Sequence, residues 1–488
     1  MKRQSGVLMH ISSLNGKYGI GTLGKTAWDF VSFLAASGFS AWQMLPVNPR
    51  GLGFSPYNSI SSFAGDPLFI DPEALFEAGL ITAEELKSAE IENRERVDYN
   101  IVIPERTRLL RIAYSRFKDF EELGRFCDRE RHWIADYASF MSIRDELGGI
   151  AWQHFPAELR SKSGLSEWRA AHADDERYYM FEQFMFFSQW EKLRRFANSK
   201  GISLIGDVPI YVALDSCDVW SAPEIFNLND SLTPFDVSGC PPDAFSADGQ
   251  LWGNPTYRWN RLRENGYSWW IARLSHCAKM FDTVRLDHFR AFEAYWSVPF
   301  GAQTAVCGHW EKGPGKDFFD AVSSALPELN MIAEDLGFLT DEVFRLRDEC
   351  ELPGMRVLQF AFDSDENNLY LPHNYVENCV VYTGTHDNDT LRGFIESAPV
   401  YRLDFARRYL APQDEETLFD AFLRAAWSSV ARLAIIPMQD VLNLPTSARM
   451  NTPSTVNDHN WRWRMPEGVI TQELSDKLLT LNKAHSRT

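Results

Sequence analysis

Eight short apolar runs, several of them flanked by helical patterning, constrain this chain more than any other feature. They lie at 6–11 (GVLMHI), 40–46 (SAWQMLP), 202–206 (ISLIG), 282–286 (DTVRL), 330–334 (NMIAE), 356–360 (RVLQF), 379–383 (CVVYT) and 432–437 (RLAIIP). Each has the length of a strand. Residues 178–198 read as a long helix that stops near Gly201, and 269–280 as another. Residues 340–350 open with Thr340-Asp341-Glu342, a good helix start because acids offset the positive end of the helix dipole. Alternating strands and helices pair in parallel through crossovers. Eight such units fit a (β/α)8 TIM barrel, the predicted fold, with a doubly wound open sheet as the rival.

The spacing is uneven. Between the second and third runs, residues 55–175 predict an inserted, mostly helical subdomain, with polar segments such as ERTRLLRIAYSRFKDFEEL that carry regular apolar positions. Residues 207–268, rich in Pro, Gly and Asp, predict a long active-site loop region at the barrel's C-terminal rim. Without repeats, low-complexity tracts or Gly/Ser linkers, 1–488 reads as one catalytic barrel with insertions.

Charge and cysteine usage exclude several classes. The net charge is −18, which repels phosphate backbones and anionic lipid. No run approaches the roughly 20 apolar residues of a membrane span, and no apolar stretch behind the first basic residues suggests a signal peptide. The seven cysteines are far apart and never form CxxC, which points to a reducing cytoplasm and away from a disulfide framework or a zinc site. The 34 Phe and 16 Trp fit a large core before they fit a ring-lined cleft.

Acidic residues close several of the runs: Asp207, Asp287, the pair Glu334 and Asp335, and His386 with Asp387 and Asp389. Converging like charges on one barrel face are costly, so they mark a site better than any single one does. Glycosyl transfer needs two carboxylates that titrate differently, one to attack the anomeric carbon and one to protonate the leaving oxygen. Arg285 and Asp287 are two apart on one strand and share a face. A guanidinium there keeps Asp287 ionised, as a nucleophile requires, although a salt bridge locking the rim accounts for the spacing equally well. Glu334 follows Met331-Ile332-Ala333, an apolar flank that suits a general acid.

With these residues in hand, the chain resembles the amylomaltases, also called 4-α-glucanotransferases or disproportionating enzymes. The resemblance runs in order through YGIGTLG (18–24), SAWQMLPVNP (40–49), SPYNSISSFAGDPLFID (55–71), GDVPIYVALDSCDVW (206–220), PPDAFSADGQLWGNPTYRW (241–259), VRLDHFRAF (284–292), AEDLGFLT (333–340), LPGMRVLQFAFD (352–363), YTGTHDNDT (382–390) and RMNTP (449–453). It implies a (β/α)8 barrel and a retaining double displacement without cofactor or metal. It further implies Asp287 as nucleophile, Glu334 as acid/base, Asp387 as the acid supporting the transition state, and Arg285 as the group orienting the nucleophile. His386 and Asp207 are implied as contacts to the sugar beside the scissile bond, Tyr57 as a sugar-stacking ring, and Trp252 as part of a loop over the cleft, with Asn254 beside it as a substrate contact. The implied partners are an α-1,4-glucan donor and a glucose or maltooligosaccharide acceptor. The sequence departs from the family pattern at Thr22, Phe54, Ala291 and Ser454, none of them among the three acids.

Rival signals are weaker. Gly19, Gly21 and Gly24 spell GxGxxG, but residues 12–18 separate them from the first run and no acid ends the second, so a rim loop accounts for them better than a dinucleotide site. Asp363, Asp365 and Asn367 hint at a calcium loop, yet Asn368 and Asn374 stand where Gly and Glu are needed. His10, His288 and His386 show no metal-ligand spacing, and His10 reads as a core histidine. Two other functions compete with transfer: an α-1,4-glucan hydrolase using the same acids, and a glucan-binding protein on a dead barrel, which the intact acids disfavour.

Overall fold

The computed structural model describes residues 3–92, 95–242 and 246–488, so residues 243–245 of the 241–259 motif lie outside the described residues. Eight strands form a closed ring: β1 (Gln4–Leu8), β2 (Ala41–Gln43), β3 (Ser203–Pro209), β4 (Thr283–Asp287), β5 (Asn330–Ala333), β6 (Gly354–Val357), β7 (Cys379–Tyr382) and β8 (Leu433–Pro437). Every neighbouring pair is parallel, and β8 closes on β1 from Gln4↔Leu433 to Leu8↔Pro437. This closure excludes the open sheet. All eight apolar runs are barrel strands, displaced by a few residues at most. The reason they were legible is burial on both faces: β2, β6 and β7 are buried along their whole length.

Helices wrap the ring. The predicted helices are present at Ala173–Ser199, Ser268–Met280 and Asp341–Glu349. Between β2 and the first of these, the chain forms helices that include Tyr99–Arg116, Phe120–Arg129 and Ile134–Glu146. The long helix holds the segment before them in place. Gln183 accepts from Gly65 N–H at 2.7 Å and donates to Gly65 C=O at 3.0 Å, while Gln189 accepts from Asp71 N–H at 2.7 Å. Gly65 lies against the ring of Phe186, where a Cβ would stand 2.1 Å away, so no other residue fits this contact.

The stretch 207–268 contains more than loop. Asp236–Cys240 and Gln250–Pro255 pair antiparallel, and Ala294–Pro299 and His309–Lys312 extend them into a four-stranded sheet. Their composition hid them: Gln250–Pro255 is QLWGNP, with Gly and Pro, and His309–Lys312 is exposed throughout. A C-terminal helix, Gln472–Ala484, meets the start of β1, where Asn482 accepts from Ser5 Oγ at 2.6 Å. Beyond it, the fully buried Arg487 donates to the carbonyls of Gln4 (2.9 Å), Trp427 (2.7 Å), Ser429 (3.0 Å) and Ala431 (3.1 Å). Among the described residues no helix is long and apolar enough to cross a membrane.

Candidate active site

The acidic residues gather at the C-terminal ends of β3, β4, β5 and β7, the first three of them adjacent in the ring. Asp207 lies on β3 and Asp287 ends β4, with Asp207 in register opposite Arg285. Glu334 directly follows β5, and His386 and Asp387 lie on the loop after β7. Parallel strands of one barrel end on the same rim, which brings residues so far apart in sequence together.

One guanidinium nitrogen joins two of the acids. Arg285 Nη1 donates to Asp207 Oδ1 at 2.7 Å and Oδ2 at 2.8 Å, and to Asp287 Oδ1 at 2.8 Å. The Asp207 side chain is fully buried, whereas that of Asp287 is 27% exposed and faces the cleft. Burial opposes the charge on Arg285, yet the carboxylates of Asp207 and Asp287 hold its pKa well above the ordinary arginine value. Burial also raises the pKa of Asp207, against the pull of Arg285. Removing one member would strand a buried charge, at a cost of about 3–5 kcal/mol.

Glu334 has a different environment. Its Oε2 accepts from the backbone N–H of His288 at 2.7 Å. Burial pushes its carboxyl well above the ordinary glutamate value, the Arg285 guanidinium opposes this, and the charge of Asp287 reinforces it. Two half-buried carboxyls on neighbouring strands therefore sit in unlike surroundings: Asp287 accepts from a guanidinium, whereas Glu334 accepts from a backbone N–H. His288 holds the N–H in place by adopting φ 53°, a left-handed conformation that strains a residue bearing Cβ. Burial lowers the His288 pKa to about 4, so its ring is neutral.

Asp387 is held by the loop that follows β8. Asn451 Nδ2 donates to Asp387 Oδ1 at 2.6 Å, and Arg449 donates to the Asp387 carbonyl at 2.5 Å. His386 Nε2 lies 3.3 Å from the same Oδ1, and the Asp387 side chain remains 45% exposed. Asp440 pins the β7 loop from below by accepting from Thr383 Oγ1 and Leu391 N–H, both at 2.7 Å. Asn451, Arg449 and Asp440 did not stand out as site residues in the sequence. The first two lie in the RMNTP motif, whose amide and guanidinium donors were the available signal. Asp440 carried none.

The aromatic residues take distinct places. Tyr57 stacks on His386 with centroids 5.1 Å apart and planes at 13°, and its hydroxyl donates to Asp207 Oδ2 at 2.7 Å. Trp461 tilts against both rings, at 5.7 and 5.9 Å. Tyr57 is thus clamped by ring and hydroxyl together. Trp252 packs edge-on to His288 at 4.8 Å, which joins the antiparallel sheet to the end of β4. Asn254 spends its amide on the chain itself, donating to the Val212 carbonyl at 2.8 Å, and so anchors that sheet beside the cleft. His10 is a core residue, buried edge-on to Phe69. Among the departures from the family pattern, Thr22 donates to the buried Asp71 at 2.7 Å, Phe54 stacks on Tyr99, and Ser454 adopts φ 61°.

The chain is similar to known proteins along nearly its whole length. A family model described as 4-alpha-glucanotransferase matches residues 9–471. A 4-alpha-glucanotransferase of Clostridium butyricum is 44% identical over 486 residues, covering 98% of this chain and 100% of its own. One from Aquifex aeolicus is 46% identical over 483 residues, covering 98% of each chain. The solved structure of an amylomaltase from Streptococcus agalactiae, in complex with acarbose, superposes with a TM-score of 0.96 at 37% identity, and all of both chains is covered.

Proposed function

Since this chain belongs to the 4-alpha-glucanotransferase family, and is thus a glycosyltransferase that transglycosylates glucans, we propose that it works by a retaining double displacement through a glycosyl ester on Asp287. The donor is an α-1,4-glucan, and the acceptor is the 4-hydroxyl of glucose or of another glucan. The observation that carries this reading is the unlike setting of the two cleft carboxyls. Arg285 neutralises charge around Asp287, while burial keeps Glu334 protonated at higher pH than an ordinary glutamate.

In the first step the Glu334 proton passes to the glycosidic oxygen. The C1–O bond breaks, and an Asp287 oxygen bonds to C1 with inversion. The His288 N–H occupies Glu334 Oε2, so the transferable proton belongs to Oε1. In the second step Glu334, now a carboxylate, takes the proton of the acceptor 4-hydroxyl. That oxygen then displaces Asp287 from C1, and the second inversion restores the α configuration. Asp387 grips the sugar hydroxyls most strongly in the distorted transition state, held there by Asn451. His386 and Asp207 position the sugar, with Asp207 acting through Tyr57 and Arg285. Transfer rather than hydrolysis requires that acceptor sugar exclude water from the ester.

The test is incubation of the purified chain with maltotriose, following both the oligosaccharide ladder and total reducing ends. Glucose and longer maltooligosaccharides at constant reducing ends are the expected result. Rising reducing ends would mean hydrolysis dominates. A slowly deacylating fluoro-glucosyl donor should label the Asp287 peptide, and an unlabelled Asp287 would reject the covalent route.

A further inference from the structure

Away from the cleft, three metal-ligating side chains converge that the reaction does not use. Glu130 follows helix Phe120–Arg129, His132 lies in the next turn, and His276 is on helix Ser268–Met280, which leads into β4. One ligand atom from each lies within 4.8 Å of the others. His276 is 3% exposed; its Nε2 has no hydrogen-bond partner among the described residues, and its Nδ1 is met by Glu130. Its Nδ1 stands 3.6 Å from Glu130 Oε2, close to the ligand spacing of about 3.3 Å around a tetrahedral zinc. The rings of Phe63, Phe187 and Trp133 surround the imidazole at 5.6, 5.3 and 5.8 Å.

We propose that Glu130, His132 and His276 form a structural site for a divalent transition cation, zinc or a metal of similar preference, with water completing the coordination. Two imidazoles and a carboxylate are ligands of this class. The carboxylate is already oriented, because Trp133 Nε1 donates to Oε2 at 2.9 Å and Lys279 Nζ lies 3.4 Å from Oε1. Lys279 sits at the far oxygen, and Oε2, which accepts from Trp133, keeps its second lone pair for the metal. His132 is exposed, so its side chain can rotate inward and the ion can enter from solvent. A bound ion would fasten the helices between β2 and β3 to the crossover helix of the strand that carries Arg285 and Asp287.

Metal-stripped protein titrated calorimetrically with zinc chloride tests this. The wild-type chain is expected to bind one equivalent, to melt at higher temperature with zinc, and to give the intense visible bands of a four-coordinate site with cobalt(II). His132→Ala should lose the equivalent and the thermal gain while keeping wild-type transfer on maltotriose. Glu130→Gln is a second, nearly isosteric variant, so misfolding of one leaves the other to decide. A wild-type chain that takes up no stoichiometric zinc, or variants that bind it as tightly as the wild type, would overturn the site.

Discussion

At the scale of single residues, Glu334 is where function and stability conflict. Its folded pKa lies above the ordinary value of 4.5 because burial disfavours the charge. Between the unfolded and folded values the native chain holds more protons than the unfolded one, so stability falls as pH rises through that window. Below 4.5 both states are protonated and the full stability is present. Glu334→Gln is therefore expected to raise the melting temperature at about pH 7 and to gain little near pH 4. It should also lower transfer by roughly 10^2–10^4-fold, through loss of the transferable proton. Scanning calorimetry at the two pH values checks the first expectation, and a gain independent of pH would show that ionisation is not its cause. Glu334 was legible in sequence because a strand end and an apolar flank announce a carboxyl about to be desolvated. Its partner, the backbone N–H of His288, was not, because a main-chain donor leaves no mark on composition.

At the scale of elements, the β8 loop decides how Asp387 is presented. Asn451 is its side-chain donor at 2.6 Å. Asn451→Ala should lower kcat by about 10–100-fold with a smaller change in KM, since a hydrogen bond to a charged group contributes about 1.5–3 kcal/mol and this one serves the transition state. Steady-state kinetics on maltotriose decides it. A raised KM with kcat unchanged would instead assign Asn451 to ground-state grip. Strands β1–β8 could be read because each is an apolar run bounded by turn residues. The antiparallel sheet beside the cleft could not, because its strands are short, partly exposed and interrupted by Gly and Pro, and they draw their order from pairing with one another.

At the scale of the whole molecule, closure depends on the chain's last residues. Arg487 satisfies carbonyls at the start of β1 and just before β8, so it ties the two strands where the ring closes. Arg487→Ala would take a donor from four buried carbonyls, and because that of Trp427 still accepts from Arg3 at 2.8 Å, the other three carry the cost, at about 1 kcal/mol each or more. The melting temperature should fall by roughly 3–4 °C, and a fall under about 1 °C would show that water or neighbours replace the guanidinium. The sequence by itself determined the barrel, the family and the carboxyls at its rim, because doubly buried strands and motif residues are local patterns. Only the tertiary structure decided that Arg285 also reaches Asp207, that Asn451 holds Asp387, that Arg487 ties the ring where it closes, and that Glu130 and His132 meet His276. Those contacts join residues tens to hundreds of positions apart, and a hydrogen bond or ligand cluster depends on distance in space, which spacing along the chain does not record.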